Sequence, residues 1–460
     1  MTLTDARRSR RASTSASSAD AAGHGPMARI VVGSVTLGVV ASAVLTLGVF
    51  AGAQEHIITG VTLLSFAAGW AMLAALTTRM TSRPQRWAWL PAGFLAVSGL
   101  AMTTLALGDD GLTAAAWVWP PVLLAIVIWS QRQLRSSMFG RSRWLLYTLL
   151  GALALSSVGA LVQNVSMQRD SATMQMPGAL YDVGGLRLHL HCTGTGSPTV
   201  VLENSLSGSS PTWARIVEGT APTTRVCAYD RSGQGWSEDA PAPQDSIATA
   251  DSLHALLDAA GEDGPYVLAG YSSGGVYAMT FAARYPEQVA GMALLDSASP
   301  QQFTVLPAYA GQYEMMTRLY SVLPGLARLG LGTALSALYS NDLPGEAGEQ
   351  AAAFARDPRS SRNARDEVST FRRAFAQAQA LTSLGDKPLL VLSASETLSG
   401  TDGWPIAQAQ LAALSTNADQ RTVNSSHAAL LDNPAAARAG VAAIGDVVAA
   451  ARTGGDVRTD

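Results

Sequence analysis

Lysine is almost absent from this chain, which holds one, Lys387, and the formal net charge is close to zero at -3. A nucleic-acid groove needs a clustered positive field that such a balance does not supply, so nucleic-acid partners are excluded. Charge of either sign is nearly missing from the first 165 residues outside a basic tail and a few short basic loops, whereas nearly all Asp and Glu lie beyond Asp170. Cysteine is limited to Cys192 and Cys227, with neither a CxxC nor a His partner spacing, which argues against a metal site and a thiol nucleophile; no cofactor is implied. No long apolar stretch carries Asp, Glu, Lys or Arg well inside it, so a proton or ion pathway is not expected and anchoring is.

What is present in the first part is apolar length. Stretches able to cross roughly 30 Å of hydrocarbon occur at Ile30–Phe50, Ile57–Leu76, Trp87–Leu107, Leu112–Trp129 and Trp144–Val162. The fourth is short and interrupted by Pro120 and Pro121, yet the charge pattern needs it. Basic residues gather in the tail (Arg7, Arg8, Arg10, Arg11, Arg29), the second connection (Arg79, Arg83, Arg86) and the fourth (Arg132, Arg135, Arg141, Arg143). The first and third connections carry Glu55 with His56, and Asp109 with Asp110. Positive loops stay in the cytoplasm, so an inside N-terminus and five crossings predict an extracytoplasmic C-terminal domain. The expected organisation is a disordered basic tail over 1–27, a transmembrane region over 28–165, a linker over 166–179, an α/β domain over 180–450 and a flexible tail over 451–460.

Beyond Asp170 the pattern turns to short β-rich runs alternating with helical stretches. Strands are expected at Leu186–Cys192, Thr199–Glu203, Thr224–Tyr229 and Pro265–Ala269. The last runs into Gly270–Gly274, GYSSG, and then into a helical stretch that Pro286 stops. A strand, tight turn and helix around Gly-x-Ser-x-Gly lift the Ser272 oxygen clear of the sheet and make Ser272 the expected nucleophile. The Ser273 amide then opens a helix and is the first expected oxyanion donor, with the Leu206 amide, in the loop ENSLSGSS, as the second. A glycine at position 205 would ease that approach, but Ser205 stands there. Of six histidines, His427 follows a late strand-like run and precedes a terminal helix, which suits the base in the chain order serine, acid, histidine. Three acids can complete a triad: Asp296 at the end of MALLDS, favoured, and Glu396 or Asp402 after KPLLVLSAS. Asp230 and Arg231, in YDRSGQGWS, are expected to brace loops, Arg231 by pairing with a carboxylate.

The strings PTVVLENSLSGSS, RVCAYDRSGQGWS, GPYVLAGYSSGGVYAMTFAARYPEQVAGMALLDSASP and the late SSH resemble the α/β-hydrolase superfamily, in particular its actinobacterial-type members, over about 270 residues. The resemblance implies a Ser–acid–His triad and a mostly parallel sheet of about eight strands, preceded here by an all-α transmembrane bundle. Most relatives place the acid after the penultimate strand, which would select Glu396 or Asp402; some lipases place it one strand earlier, as Asp296 would be. The loop after KPLLVLSAS lacks the family's Gly-x-x-Asp pattern, and Tyr271 replaces the family's usual His beside the nucleophile. In the family sheet the strands holding Cys192 and Cys227 are neighbours, so the resemblance implies a disulfide between them. The residues at 298–386 are expected to form a helical cap whose Phe303, Tyr309, Tyr313, Met315, Met316 and Tyr320 either line an acyl pocket or pack the cap down.

The function expected is a membrane-anchored serine hydrolase of carboxylic esters, acting on a small-molecule or lipid ester among membrane lipids; no oligomeric state is implied. A peptidase or amidase of the same fold and a non-enzymatic receptor or scaffold are the alternatives.

Overall fold

In hydrocarbon a backbone must satisfy its own polar groups, and an apolar run of sufficient length does so as a helix. The computed structural model describes residues 26–138, 142–336 and 341–458; most of the expected basic tail, including Arg7 to Arg11, and the loop residue Arg141 lie outside the described residues. Two compact units result: residues up to Ser166 together with Pro324–Leu331, and Met167–Leu323 together with Gly332–Asp460.

The first unit contains α1 (Pro26–Val49), α2 (Glu55–Met80), α3 (Trp89–Leu105), α4 (Asp109–Ser137) and α5 (Ser142–Thr173). All five, α3 together with the helical turn from Arg86 that leads into it, are long and apolar enough to cross a membrane. Hydroxyls within α2 fold back onto the preceding turn, Thr62 to the Ile58 carbonyl and Ser65 to that of Val61, so they cost no unsatisfied donor. Small residues let α2 and α3 touch by their backbones: a Cβ on Gly60 would stand 2.9 Å from the Gly99 oxygen. Pro120 and Pro121 do not interrupt α4, which runs unbroken for 29 residues. Pro120 has no N–H for the Ala116 carbonyl, and the Asn164 side chain of α5 donates to that oxygen instead, at 2.7 Å. The segment Pro324–Leu331, expected as cap, belongs to this unit. Its Arg328 donates to Glu55 at 2.6 Å and to Asp109 at 2.7 Å, so the two acidic connections share one guanidinium. Helix α5 continues to Thr173, which shortens the expected linker 166–179, because nothing from Ser166 to Thr173 is a glycine or proline that would break it.

The second unit is built on eight strands: β1 (Ala179–Asp182), β2 (Arg187–Thr193), β3 (Val200–Glu203), β4 (Val226–Tyr229), β5 (Tyr266–Tyr271), β6 (Val289–Leu295), β7 (Leu389–Ala394) and β8 (Ala418–Val423). Their order is β1-β2-β4-β3-β5-β6-β7-β8; β1, β2 and β4 pair antiparallel and the rest parallel. Strand β1, not expected from the sequence, forms a hairpin with β2. The central strands are covered on both faces and read as unbroken apolar runs. Alternate residues enter two cores: Val201 and Leu268 one, Val200, Leu202, Val267 and Ala269 the other.

The helices of this unit are α6 (Ala214–Thr220), α7 (Ser246–Ala259), α8 (Gly274–Arg284), α9 (Gln302–Val305), α10 (Tyr309–Arg328), α11 (Leu331–Ser336), α12 (Gly345–Arg356), α13 (Pro358–Ala378), α14 (Ser395–Gly400), α15 (Trp404–Ala412) and α16 (Pro434–Thr453), with α10 entering the first unit at Pro324. Helix α16 is also apolar enough to span a membrane, but its Ile444, Val447 and Val448 are buried in the second core. Of the expected flexible tail 451–460, the described part, 451–458, is seated instead: Gly454 turns the chain at φ 66°, and Val457, 1% exposed, donates its N–H to Asn417. Cys192 and Cys227 face each other in the β2–β4 register and are joined as a disulfide.

Candidate active site

Strand β5 carries the chain to the edge of the sheet, and α8 begins at Gly274. The turn between them must be tight. Ser272 takes φ 57°, a left-handed conformation that a side chain tolerates only when neighbours enforce it. They do: the Ser272 N–H donates to the Leu295 carbonyl at 3.2 Å, and the Ala298 N–H donates to the Ser272 carbonyl at 2.9 Å. The end of β6 thus clamps both sides of the strained residue. Gly274 is required by close approach, since a Cβ there would lie 2.2 Å from the Glu203 oxygen at the end of β3. The serine turn and the loop after β3 are therefore in direct backbone contact.

His427 follows β8 and brings Nε2 to 3.0 Å from Ser272 Oγ, while Nδ1 lies 2.6 Å from Asp296 Oδ2. Asp296 is fully buried, whereas Glu396 and Asp402 are exposed. The structure thus brings Ser272, His427 and Asp296 together and leaves Glu396 and Asp402 apart. Asp296 also sits at a positive φ, 41°. Its carboxylate accepts from Thr397 Oγ1 at 2.7 Å, the Ala394 N–H at 3.1 Å and Trp404 Nε1 at 3.2 Å. Tyr271, which stands where the family usually has His, stacks on the His427 ring at 5.0 Å and donates its hydroxyl to the His427 carbonyl at 2.6 Å. Sequence reading missed Thr397 and Trp404 as partners of the acid; their only signal was nearness to Glu396 and Asp402.

The loop after β3 closes a turn from the Gly208 N–H to the Ser205 carbonyl at 3.0 Å. Its positive φ falls on Ser207, at 59°, so Ser205 needs no special conformation. Among the described residues, neither the Leu206 nor the Ser273 amide has a protein acceptor. Beneath the loop lies a buried charged cluster. Arg231 donates to the Asn204 carbonyl at 2.6 Å, the Ser205 carbonyl at 3.0 Å and Glu367 of α13 at 2.8 Å. Burial pushes the Glu203 carboxyl up to about 7 against the pull of Arg231 and the Tyr229 hydroxyl, and burial likewise raises Glu367. Two carboxylates share one guanidinium, and its charge cannot fully compensate both.

Several residues outside the Ser272–His427–Asp296 chain have partners of their own. His189 pairs through Nδ1 with Asp230 at 2.8 Å and meets the Pro177 carbonyl through Nε2 at 2.6 Å. Asp230 also accepts from the Ser210 N–H at 2.6 Å. Phe303 packs edge-on against both Tyr309 and Tyr313, and the two tyrosines are buried; Met315 is exposed.

An eight-stranded, mostly parallel sheet with a serine on a strand–turn–helix elbow defines a hydrolase of the α/β type. The family model described as alpha/beta hydrolase fold matches residues 198–434, more than half of the chain, and the protein belongs to that family. It is 26% identical over 339 residues to an uncharacterized protein of Schizosaccharomyces pombe, covering 67% of this chain and 59% of the other. It is 39% identical over 112 residues to the lipase LipV of Mycobacterium tuberculosis, covering 24% of this chain and 42% of the lipase. The chain spans about half the length of curated relatives it matches. Among solved structures, the enol-lactonase from Burkholderia xenovorans LB400 is 20% identical with a TM-score of 0.43, covering 59% of this chain and 100% of that one.

Proposed function

We propose that this protein is a membrane-anchored serine hydrolase that cleaves carboxylic esters, apolar or lipid-like, with its hydrolase unit on the extracytoplasmic side. What carries the proposal is the unbroken chain of contacts from Ser272 Oγ to His427 to buried Asp296, at 3.0 and 2.6 Å. In this mechanism His427 Nε2 takes the serine proton as Oγ attacks the ester carbon. Asp296 holds Nδ1–H and stabilises the imidazolium that forms. The Ser273 and Leu206 amides receive the charge developing on the carbonyl oxygen. His427 then gives its proton to the departing alkoxide, and water, deprotonated by the same nitrogen, releases the acid from Ser272. Helices α1 to α5 would keep the site near lipid esters, and the arginines of the second and fourth connections support the orientation.

The test is labelling of intact cells with a cell-impermeant fluorophosphonate, with Ser272→Ala and His427→Ala alongside. Labelling that requires both residues is expected. Labelling only after lysis would reverse the orientation, and none in either preparation would remove the serine hydrolase assignment.

A further inference from the structure

Arg231 lies 136 residues from Glu367 in sequence, yet the two are bonded beneath the loop that carries Leu206. The contact is buried on both sides, with the side chains 6% and 9% exposed. Glu367 Oε1 also accepts from the Tyr277 hydroxyl of α8 at 3.2 Å, and Oε2 from Gln234 at 3.1 Å. The guanidinium lies over the Tyr277 ring, 4.2 Å from its centre. This is a fixed plane, not a mobile surface charge.

What it holds is specific. The Ser205 carbonyl and the Leu206 N–H belong to one trans, planar peptide, so the oxygen and the hydrogen point in opposite directions. Arg231 Nη2 and the Gly208 N–H both donate to that oxygen, each at 3.0 Å. Arg231 Nη1 holds the preceding carbonyl, of Asn204, at 2.6 Å. The Asn204 side chain is pinned in turn, donating to the Tyr229 carbonyl and accepting from Trp213 Nε1, both at 2.7 Å. The peptide that carries the Leu206 amide is therefore tied, through its carbonyl, to one ion pair, half of which comes from the insertion between β6 and β7.

We propose that Arg231 and Glu367 are positioning residues for the oxyanion site, and that seating of α13 aims the Leu206 N–H at the developing oxyanion. This rests on the serine ester hydrolase reading above. Neither residue touches the substrate; α13 sets the loop, and the loop stabilises the transition state. Lysine in place of Arg231 would keep the charge but lose the planar fork that serves two carbonyls and a carboxylate together.

The experiment uses the full-length, detergent-solubilised protein with p-nitrophenyl butyrate as substrate and phenylboronic acid as a tetrahedral-adduct probe. Glu367→Gln keeps the side chain's shape and guards against misfolding; Arg231→Lys is the second variant. A single lost oxyanion donor costs about a hundred- to a thousandfold in kcat, so a misaimed one is expected to cost about ten- to a hundredfold. KM should stay within about twofold and boronate affinity should fall in parallel with kcat, because the interaction is made only in the transition state. Unchanged kcat and boronate affinity in Glu367→Gln would overturn the proposal, as would a rise in KM with kcat unchanged. A wild-type protein that neither hydrolyses the ester nor takes up a fluorophosphonate would instead overturn the hydrolase reading on which it stands.

Discussion

Replacing Asp296 by asparagine keeps the shape of a side chain that four donors surround and changes only which atoms can accept. Oδ1 faces the Ala394 N–H and Trp404 Nε1, neither of which can do anything but donate. The amide oxygen of the introduced asparagine must therefore take that side, which puts its NH2 where Oδ2 of Asp296 now meets Thr397 and His427. The Thr397 hydroxyl can turn and accept. His427 can accept only by losing its Nδ1 proton, and the neutral ring must then carry the proton on Nε2, 3.0 Å from Ser272 Oγ. A ring in that tautomer cannot take the serine proton. Asparagine also tolerates the positive φ of this position as aspartate does. The fold should consequently survive while kcat falls by about 10⁴, or about 5 kcal/mol of transition-state stabilisation. Steady-state hydrolysis of p-nitrophenyl butyrate beside a thermal unfolding curve measures both. Activity within tenfold of wild type, or an equal loss in Glu396→Gln or Asp402→Asn, would refute the reasoning, since both alternatives are exposed.

The buried Glu203 carboxyl should leave a signature in stability against pH. The folded state binds its proton more tightly than an unfolded chain, whose glutamates titrate near 4.5, so stability falls as pH rises from there to about 7 and stays reduced above. Glu203→Gln should flatten that fall, worth about 3 kcal/mol at most; the same slope between about pH 5 and about pH 8 in both proteins would count against it. Removing the disulfide with Cys192→Ala and Cys227→Ala frees a loop of 35 residues in the unfolded chain. Chain entropy puts the loss at about 4 kcal/mol, readable as a lower unfolding midpoint without reductant, and an unchanged midpoint would contradict it.

What could be read from the sequence is what short range encodes. The apolar lengths of α1 to α5 are properties of contiguous residues, and so is the passage from β5 through GYSSG into α8, where a strand, a tight turn and a helix start lie within about twenty residues. His427 emerged by elimination among six histidines. Expectation and structure parted where a distant side chain compensates a local fault. Pro120 and Pro121 look like helix breakers until Asn164 is seen covering the orphaned Ala116 carbonyl, and the polar segment after α16 looks like a loose tail until Val457 is seen buried.

The sequence by itself therefore determined the class of fold, the serine elbow and the apolar helices, because hydrophobic periodicity and turn chemistry act between neighbours. Tertiary structure alone decided which carboxylate meets His427. Asp296, Glu396 and Asp402 all follow strands, and only the side-by-side order β6-β7-β8 carries Asp296 under the loop of His427 while the other two face solvent. It also decided that Glu367 reaches Arg231 and that Arg328 joins Glu55 with Asp109. Such pairings depend on where long chain excursions return, and no local pattern of side chains records that.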